Sequence, residues 1–383
     1  MTDSTLTDAL APHVAKGPVP GAVALVARGD RAEVAALGHA DAEGTTPLAR
    51  DSIFRIASLT KPIAAAAVMV LVDEGRITLD APIGHWLPEL ATPDVVRDPA
   101  GPVEDVVPAA RPITVEDVLT FRAGWGFPAD FSLPAVQPVF ALMDPHAPQR
   151  LPEPDTWLAA LGRVPLLHQP GQVWLYNTCS DIQGVLVARV TGRSLPEFLA
   201  ERIFEPLDMR DTAFEVPAAK RDRFTSAYVP TADGGAERVD TPDGQWSGLP
   251  AFPSGAGGLV STVDDWWAFA RMLLDDGGSV LSAESVRLML TDHLTPAQRR
   301  ASDLFTLGSG WGFGGSVDVE RRDPWNVPGR YGWVGGTGTA AHLTPSTGTV
   351  TVLMTQLALG GPSPLPPVMR DFWAYAADDG LSG

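Results

Sequence analysis

Two apolar runs open the chain, Gly21 to Arg28 and Ala32 to Gly38, separated by Gly29-Asp30. Strand-forming residues on both sides of a Gly-Asp pair predict a β-hairpin. After a short loop, Ile53-Phe54-Arg55-Ile56-Ala57 leads into a segment that stays apolar from Ile63 to Val72. This predicts a helix from Ser58 through Gly75, with Pro62 in the first turn, where a missing N–H does least harm, and a glycine stop before Arg76. The apolar stretch is too short to cross a bilayer and reads as a buried helix. Thr78 to Ile83 is extended and punctuated by proline.

A short helix is expected within Ile113 to Gly124. From Trp125 to Gln172 prolines and aromatics follow no sustained period, which predicts loops and short helices forming one wall of a cleft. Asp181 to Thr191 and Leu195 to Glu205 carry helical patterns. Asp233 to Pro253 is dense in turn residues and is expected to be a long surface loop. Thr262 to Asp275 predicts a helix capped by Ser261 or Thr262, with Trp266, Phe269, Ala270, Leu273 and Leu274 as its buried stripe. Gly332 to Leu343 and Gly348 to Leu357 read as two strands joined through Pro345-Ser346-Thr347-Gly348. The proline-rich run Gly360 to Pro367 precedes a last helix, Val368 to Ala377. Strands at both ends and helices between them predict a discontinuous sheet lobe, 1–75 with 250–383, and an inserted, mainly helical lobe, 76–249. A site is expected in the cleft between them.

Composition narrows the function classes. The 383 residues carry a net charge of -18, which disfavours nucleic acids and anionic membranes as partners because both need a basic face. A lone cysteine, Cys179, excludes an internal disulfide and is expected to pack as a small apolar side chain. Met1 to Ala15 lacks the basic start and apolar run of a signal peptide, so a cytoplasmic location is expected. The histidines show no metal-binding spacing, no nucleotide-binding glycine pattern appears, and neither a metal nor a cofactor is expected.

Ser58-Leu59-Thr60-Lys61 carries the chemistry. A serine three residues ahead of a lysine at a helix start puts hydroxyl and amine on one face. The chain has three lysines among 28 basic residues, and only lysine, when desolvated, can give up its proton and act as a base. In isolation the spacing also fits a capped helix with a solvated lysine. Tyr176, after the Pro170-Gly171 turn, offers a phenol that a nearby ammonium would activate, or simply a packing residue. The glycines of Tyr331-Gly332-Trp333-Val334-Gly335-Gly336-Thr337-Gly338-Thr339 allow a ligand to approach the backbone, or mark a bulge.

Taken together, these segments resemble the serine beta-lactamase and penicillin-recognising superfamily, most closely its family VIII carboxylesterases. Ile203-Phe204-Glu205-Pro206-Leu207-Asp208-Met209 and Gly257-Gly258-Leu259-Val260-Ser261-Thr262 extend the match over most of the chain. The resemblance implies an α+β fold, an antiparallel sheet flanked by helices with an inserted helical lobe. It implies Ser58 as nucleophile, Lys61 as its partner and Tyr176 as base, with an oxyanion hole made by the N–H groups of Ser58 and Gly336. Trp333 stands where lactamases carry the lysine of Lys-Thr-Gly. Tyr176-Asn177-Thr178 departs from Tyr-x-Asn, so the usual amide is either replaced by a hydroxyl or displaced by one position.

Both departures favour a neutral ester over a penicillin. Trp333, Gly335, Thr178 and Trp125 are expected to bind substrate, and one or two of Trp125, Phe127, Phe131, Trp157, Trp311 and Phe313 to line an acyl pocket. His342 is expected to be structural. The expected function is a serine carboxylesterase acting on a small-molecule ester of a small to medium apolar acyl group. An amidase or D-aminopeptidase, an acyltransferase, a weak beta-lactamase and a non-catalytic sensor use the same parts. Oligomeric state is left open.

Overall fold

In the computed structural model, which describes residues 5–144 and 147–378, seven strands form one antiparallel sheet. Residues 1–4, 145, 146 and 379–383, which the expected lobe boundaries and the Trp125 to Gln172 wall include, lie outside the described residues. The strands in chain order are β1 (Gly21–Arg28), β2 (Arg31–Gly38), β3 (Phe54–Arg55), β4 (Asp94–Val96), β5 (Val106–Pro108), β6 (Ala227–Pro230), β7 (Ala236–Asp240), β8 (Val260–Ser261), β9 (Gly310–Trp311), β10 (Ser316–Val317), β11 (Tyr331–Gly335), β12 (Thr339–Thr344) and β13 (Thr349–Thr355). The main sheet runs β2-β1-β13-β12-β11-β10-β9, so its first and last segments meet, Ala22 opposite Thr355.

β1 is apolar throughout because both of its faces are covered. Val23, Leu25 and Ala27 join the principal core with the helix Thr60–Asp73, while Ala22, Ala24 and Val26 pack with Leu6 and Leu10 of the helix Leu6–Ala15 and with Phe372 of the helix Pro367–Ala376. Such a doubly buried strand loses the alternation of a half-exposed one. The N-terminal helix, with Thr5 as its capping residue, is absent from the sequence reading.

Three expectations change. The stretch Gly332 to Leu343, read as one strand, turns over at 336–338 into the β11–β12 hairpin, with Gly338 at φ +89 where a side chain would be strained. Asp233 to Pro253 is not a plain surface loop. It supplies β7, paired with β6, and its Trp246 is 5 % exposed and packs with Ile53, Val216, Phe224 and Val260. The helix expected from Asp181 begins at Thr178, because Asn177 at φ +81 turns the chain directly into it. The helix Val263–Leu274 is capped by Thr262 and buries Trp266, Phe269, Ala270 and Leu273 of the expected stripe, while Leu274 is half-buried.

The segment 76–249 carries helices, among them Pro154–Leu161 and Thr178–Thr191, and the small hairpins β4–β5 and β6–β7. Among the described residues no helix is long and apolar enough to cross a membrane, and no cluster of three or more His, Cys, Asp or Glu is placed to hold a metal ion.

Candidate active site

Ser58 sits in a single 3-10 turn, Ala57–Leu59, between β3 and the helix Thr60–Asp73. Ala57 has φ +43, a left-handed conformation uncommon for alanine, held here by its surroundings. Thr337 donates to Arg55 O at 2.6 Å and Thr339 to Ile56 O at 3.1 Å, tying the β11–β12 turn to the residues before the serine. Gly335 fits there because a Cβ would stand 2.5 Å from Ile56 O. Gly335 is thus a close-packing residue. Gly336, in contrast, faces open space in the cavity that Ser58 also lines.

The lysine is fully buried. Its Nζ donates to Ser58 Oγ at 2.9 Å, Asn177 Oδ1 at 2.8 Å and Ala256 O at 2.6 Å. Burial pushes its pKa down to about 7, opposed by the charge of Asp181 nearby. Asp181 is itself buried, and desolvation raises its pKa against the bonds from Ser254 and Ala256 and the charge of Lys61. From the other side Tyr176 OH donates to Ser58 Oγ at 2.8 Å and accepts from Trp333 Nε1 at 2.7 Å. Burial pushes the phenol up to about 12, with the bonds to Ser58 and Trp333 pulling the other way. The Lys61 nitrogen also stands 4.8 Å from the Tyr176 ring centre.

Tyr176, distant in sequence, therefore joins Ser58 and Lys61 in one hydrogen-bonded group. Asn177, missing from the expected set, joins them. The amide is displaced by one position, as one of the two alternatives has it, and it holds the lysine. Its signal lay in the Tyr-Asn-Thr order. Thr178 lines the cavity.

Trp333 does not border that cavity, and its indole N–H addresses Tyr176. Trp125 is a correction: it is fully buried, donates to Val164 O and borders no part of the cavity. Of the six aromatics considered, Trp157 alone lines the cavity, joined by Trp246 from the stretch read as a loop. Phe127 packs edge-on to Tyr176, Phe131 is 41 % exposed, and Trp311 and Phe313 lie in the core. His342 is buried beside Trp373, and Cys179 is buried with its thiol pushed up to about 12.

The cavity measures about 640 Å³. Its nucleophile end is polar, with Asn177, Thr178, Asp181 and Ser254, and Val139, Leu142, Leu151, Trp157 and Leu161 make an apolar wall. This arrangement can present an activated hydroxyl to a carbonyl carbon and hold an apolar chain beside it.

The beta-lactamase family model matches residues 6–367. The chain belongs to the beta-lactamase family. Protein Rv1367c of Mycobacterium tuberculosis is 39 % identical over 356 residues, covering 89 % of this chain and 86 % of that one. Esterase EstB of Burkholderia gladioli is 32 % identical over 379 residues, covering 92 % and 90 %. Among solved structures EstCE1, a hydrolase with promiscuous acyltransferase activity, superposes with a TM-score of 0.82 at 23 % identity and 97 % coverage of both chains. That likeness establishes the beta-lactamase-like fold. Family membership and the esterase relative support a serine hydrolase.

Proposed function

We propose that this family member is a serine carboxylesterase that cleaves esters of small to medium apolar acyl groups through an acyl-enzyme on Ser58. The observation that carries the reading is the Ser58 hydroxyl held at 2.9 Å from a lysine nitrogen and 2.8 Å from a phenol. With a pKa near 7, Lys61 has a substantial neutral fraction at physiological pH and accepts the serine proton as Oγ attacks the ester carbonyl. Burial lowers the Lys61 amine and raises the Tyr176 phenol, which favours the lysine as the first base in place of the expected Tyr176. The N–H groups of Ser58 and Gly336 stabilise the oxyanion.

When the tetrahedral intermediate collapses, the departing alkoxide takes a proton from Tyr176. Its phenolate is stabilised by the Trp333 N–H and regains a proton from the Lys61 ammonium. Water then attacks the acyl-enzyme by the reverse sequence. Asn177 and Ala256 O hold the lysine in register, Thr178 lies on the acyl side, and Gly335 lets β11 approach the nucleophile turn.

The apolar wall and the absence of a basic residue at Trp333 favour neutral esters over penicillins. The esterase relative supports ester cleavage, and a cytoplasmic site of action remains part of the reading. Ser58→Ala tests it on p-nitrophenyl butyrate. Turnover is expected to vanish with the thermal unfolding transition retained, and near wild-type turnover overturns the assignment.

A further inference from the structure

Asp181 stands one helical turn after Asn177, is 7 % exposed and lines the cavity. Its Oδ1 accepts from the Ser254 hydroxyl at 2.6 Å and from the Ala256 N–H at 3.1 Å. Its Oδ2 has no hydrogen-bond donor among the described residues. That oxygen is open to the cavity, and an apolar ligand that expelled the cavity water would leave it without a partner, which is unfavourable.

No nearby cation can turn to it. The Lys61 nitrogen is committed to Ser58, Asn177 and Ala256. Arg55, the buried cation of the cavity wall, is held by Asp240 and by the carbonyls of Thr225 and Thr241, and Arg238 reaches out to Glu43. Ala256 links the carboxylate to the nucleophile end, because its N–H goes to Asp181 and its carbonyl to Lys61. The carboxylate is thus tied through Ala256 to the lysine that holds Ser58, and it lines the same cavity as the apolar wall.

We propose that the preferred acyl group carries a hydrogen-bond donor close to its carbonyl, a hydroxyl or an ammonium, which binds Asp181 Oδ2 while the rest of the acyl chain lies on Leu142, Leu151, Trp157 and Leu161. This deepens the esterase reading and rests on it. A site with a buried acceptor discriminates strongly against a substrate that leaves the acceptor bare, far more than an apolar pocket discriminates between chain lengths.

Three p-nitrophenyl esters with one leaving group test it: butyrate, 3-hydroxybutyrate and 3-aminobutyrate. In the wild-type protein, kcat/KM for at least one donor-bearing ester is expected to exceed that for butyrate by about tenfold or more. The hydroxyl arm identifies a neutral donor, the amino arm a cationic one. Asp181→Ala is expected to bring both ratios to about one, and Asp181→Asn, which keeps an acceptor without the charge, to abolish an ammonium preference and retain part of a hydroxyl preference. Ratios within one protein cancel any effect of the substitution on Lys61. Wild-type ratios at or below one overturn the inference, as does a preference that survives Asp181→Ala. If the alanine variant does not fold, the wild-type and asparagine ratios decide. No turnover of any of the three esters overturns instead the esterase reading beneath it.

Discussion

Trp333→Phe separates two roles for a residue first expected to touch substrate. The indole N–H donates to Tyr176 OH at 2.7 Å from a side chain that is 5 % exposed, and phenylalanine keeps most of the ring while deleting that donor. In the resting protein the phenol is neutral and keeps its bond to Ser58, so little changes. The loss appears when Tyr176 gives up its proton, because the phenolate then lacks a buried, charge-assisted hydrogen bond.

Such a bond contributes about 1.5–3 kcal/mol, which predicts a fall in kcat of about 10- to 150-fold. KM should stay within about twofold, since Trp333 lines no part of the cavity that holds Ser58. The smaller ring also leaves a gap beside Trp311, whose ring centre is 4.7 Å away, and should lower stability by about 1–3 kcal/mol. Steady-state kinetics on p-nitrophenyl butyrate, with a thermal melt to confirm folding, reads all three. A kcat within threefold of wild type refutes the role in proton transfer, and a large rise in KM at constant kcat returns Trp333 to substrate binding.

Because burial lowers the Lys61 pKa to about 7, kcat/KM should rise with pH through a midpoint near 7 as the amine becomes neutral. Lys61→Arg, which offers no neutral form, should lose at least about a hundredfold, and near-normal activity would reduce the lysine to an electrostatic prop. Butyrate esters should be cleaved with higher kcat/KM than penicillins in one buffer, and the reverse order would contradict the neutral-ester reading. Asp240→Ala strips the partner from the Arg55 guanidinium, whose side chain is 3 % exposed, and should cost about 3–5 kcal/mol in urea unfolding; a loss below about 1 kcal/mol would show that Arg55 finds other compensation.

The parts that local pattern controls were legible from the chain. The first hairpin, the helix carrying Lys61, the helix Val263–Leu274 and the last helix follow from apolar spacing and caps, and Ser58, Lys61 and Tyr176 follow from motif chemistry. What escaped depends on partners far away in sequence. Gly336-Thr337-Gly338 reads as strand interior until β12 folds back and Thr337 and Thr339 reach Arg55 and Ile56. Trp246 and Asp240 lie among turn residues, and only the buried Arg55 gives both a reason to go inside, Asp240 as ion partner and Trp246 as a ring beneath the guanidinium. Asn177 looked like a misplaced amide because its backbone φ of +81, which aims it at Lys61, leaves no trace in residue spacing. Trp125 and Trp157 are alike as letters, and packing alone sends one into the core and the other to the cavity.

The pairing of β1 with β13 has a consequence for synthesis. A ribosome releases the N-terminal hairpin, then the Ser-Lys segment, long before Thr349–Thr355 emerges to cover the open edge of β1. Until then an apolar strand, buried on both faces in the finished protein, waits with unpaired backbone groups, a state open to wrong pairing between nascent chains. Contacts of such long sequence separation also form slowly. Gly336 arrives in the same late portion, so the serine acquires its opposing wall only as the chain is nearly complete, and premature termination before β13 would yield an aggregating fragment instead of a weakened enzyme.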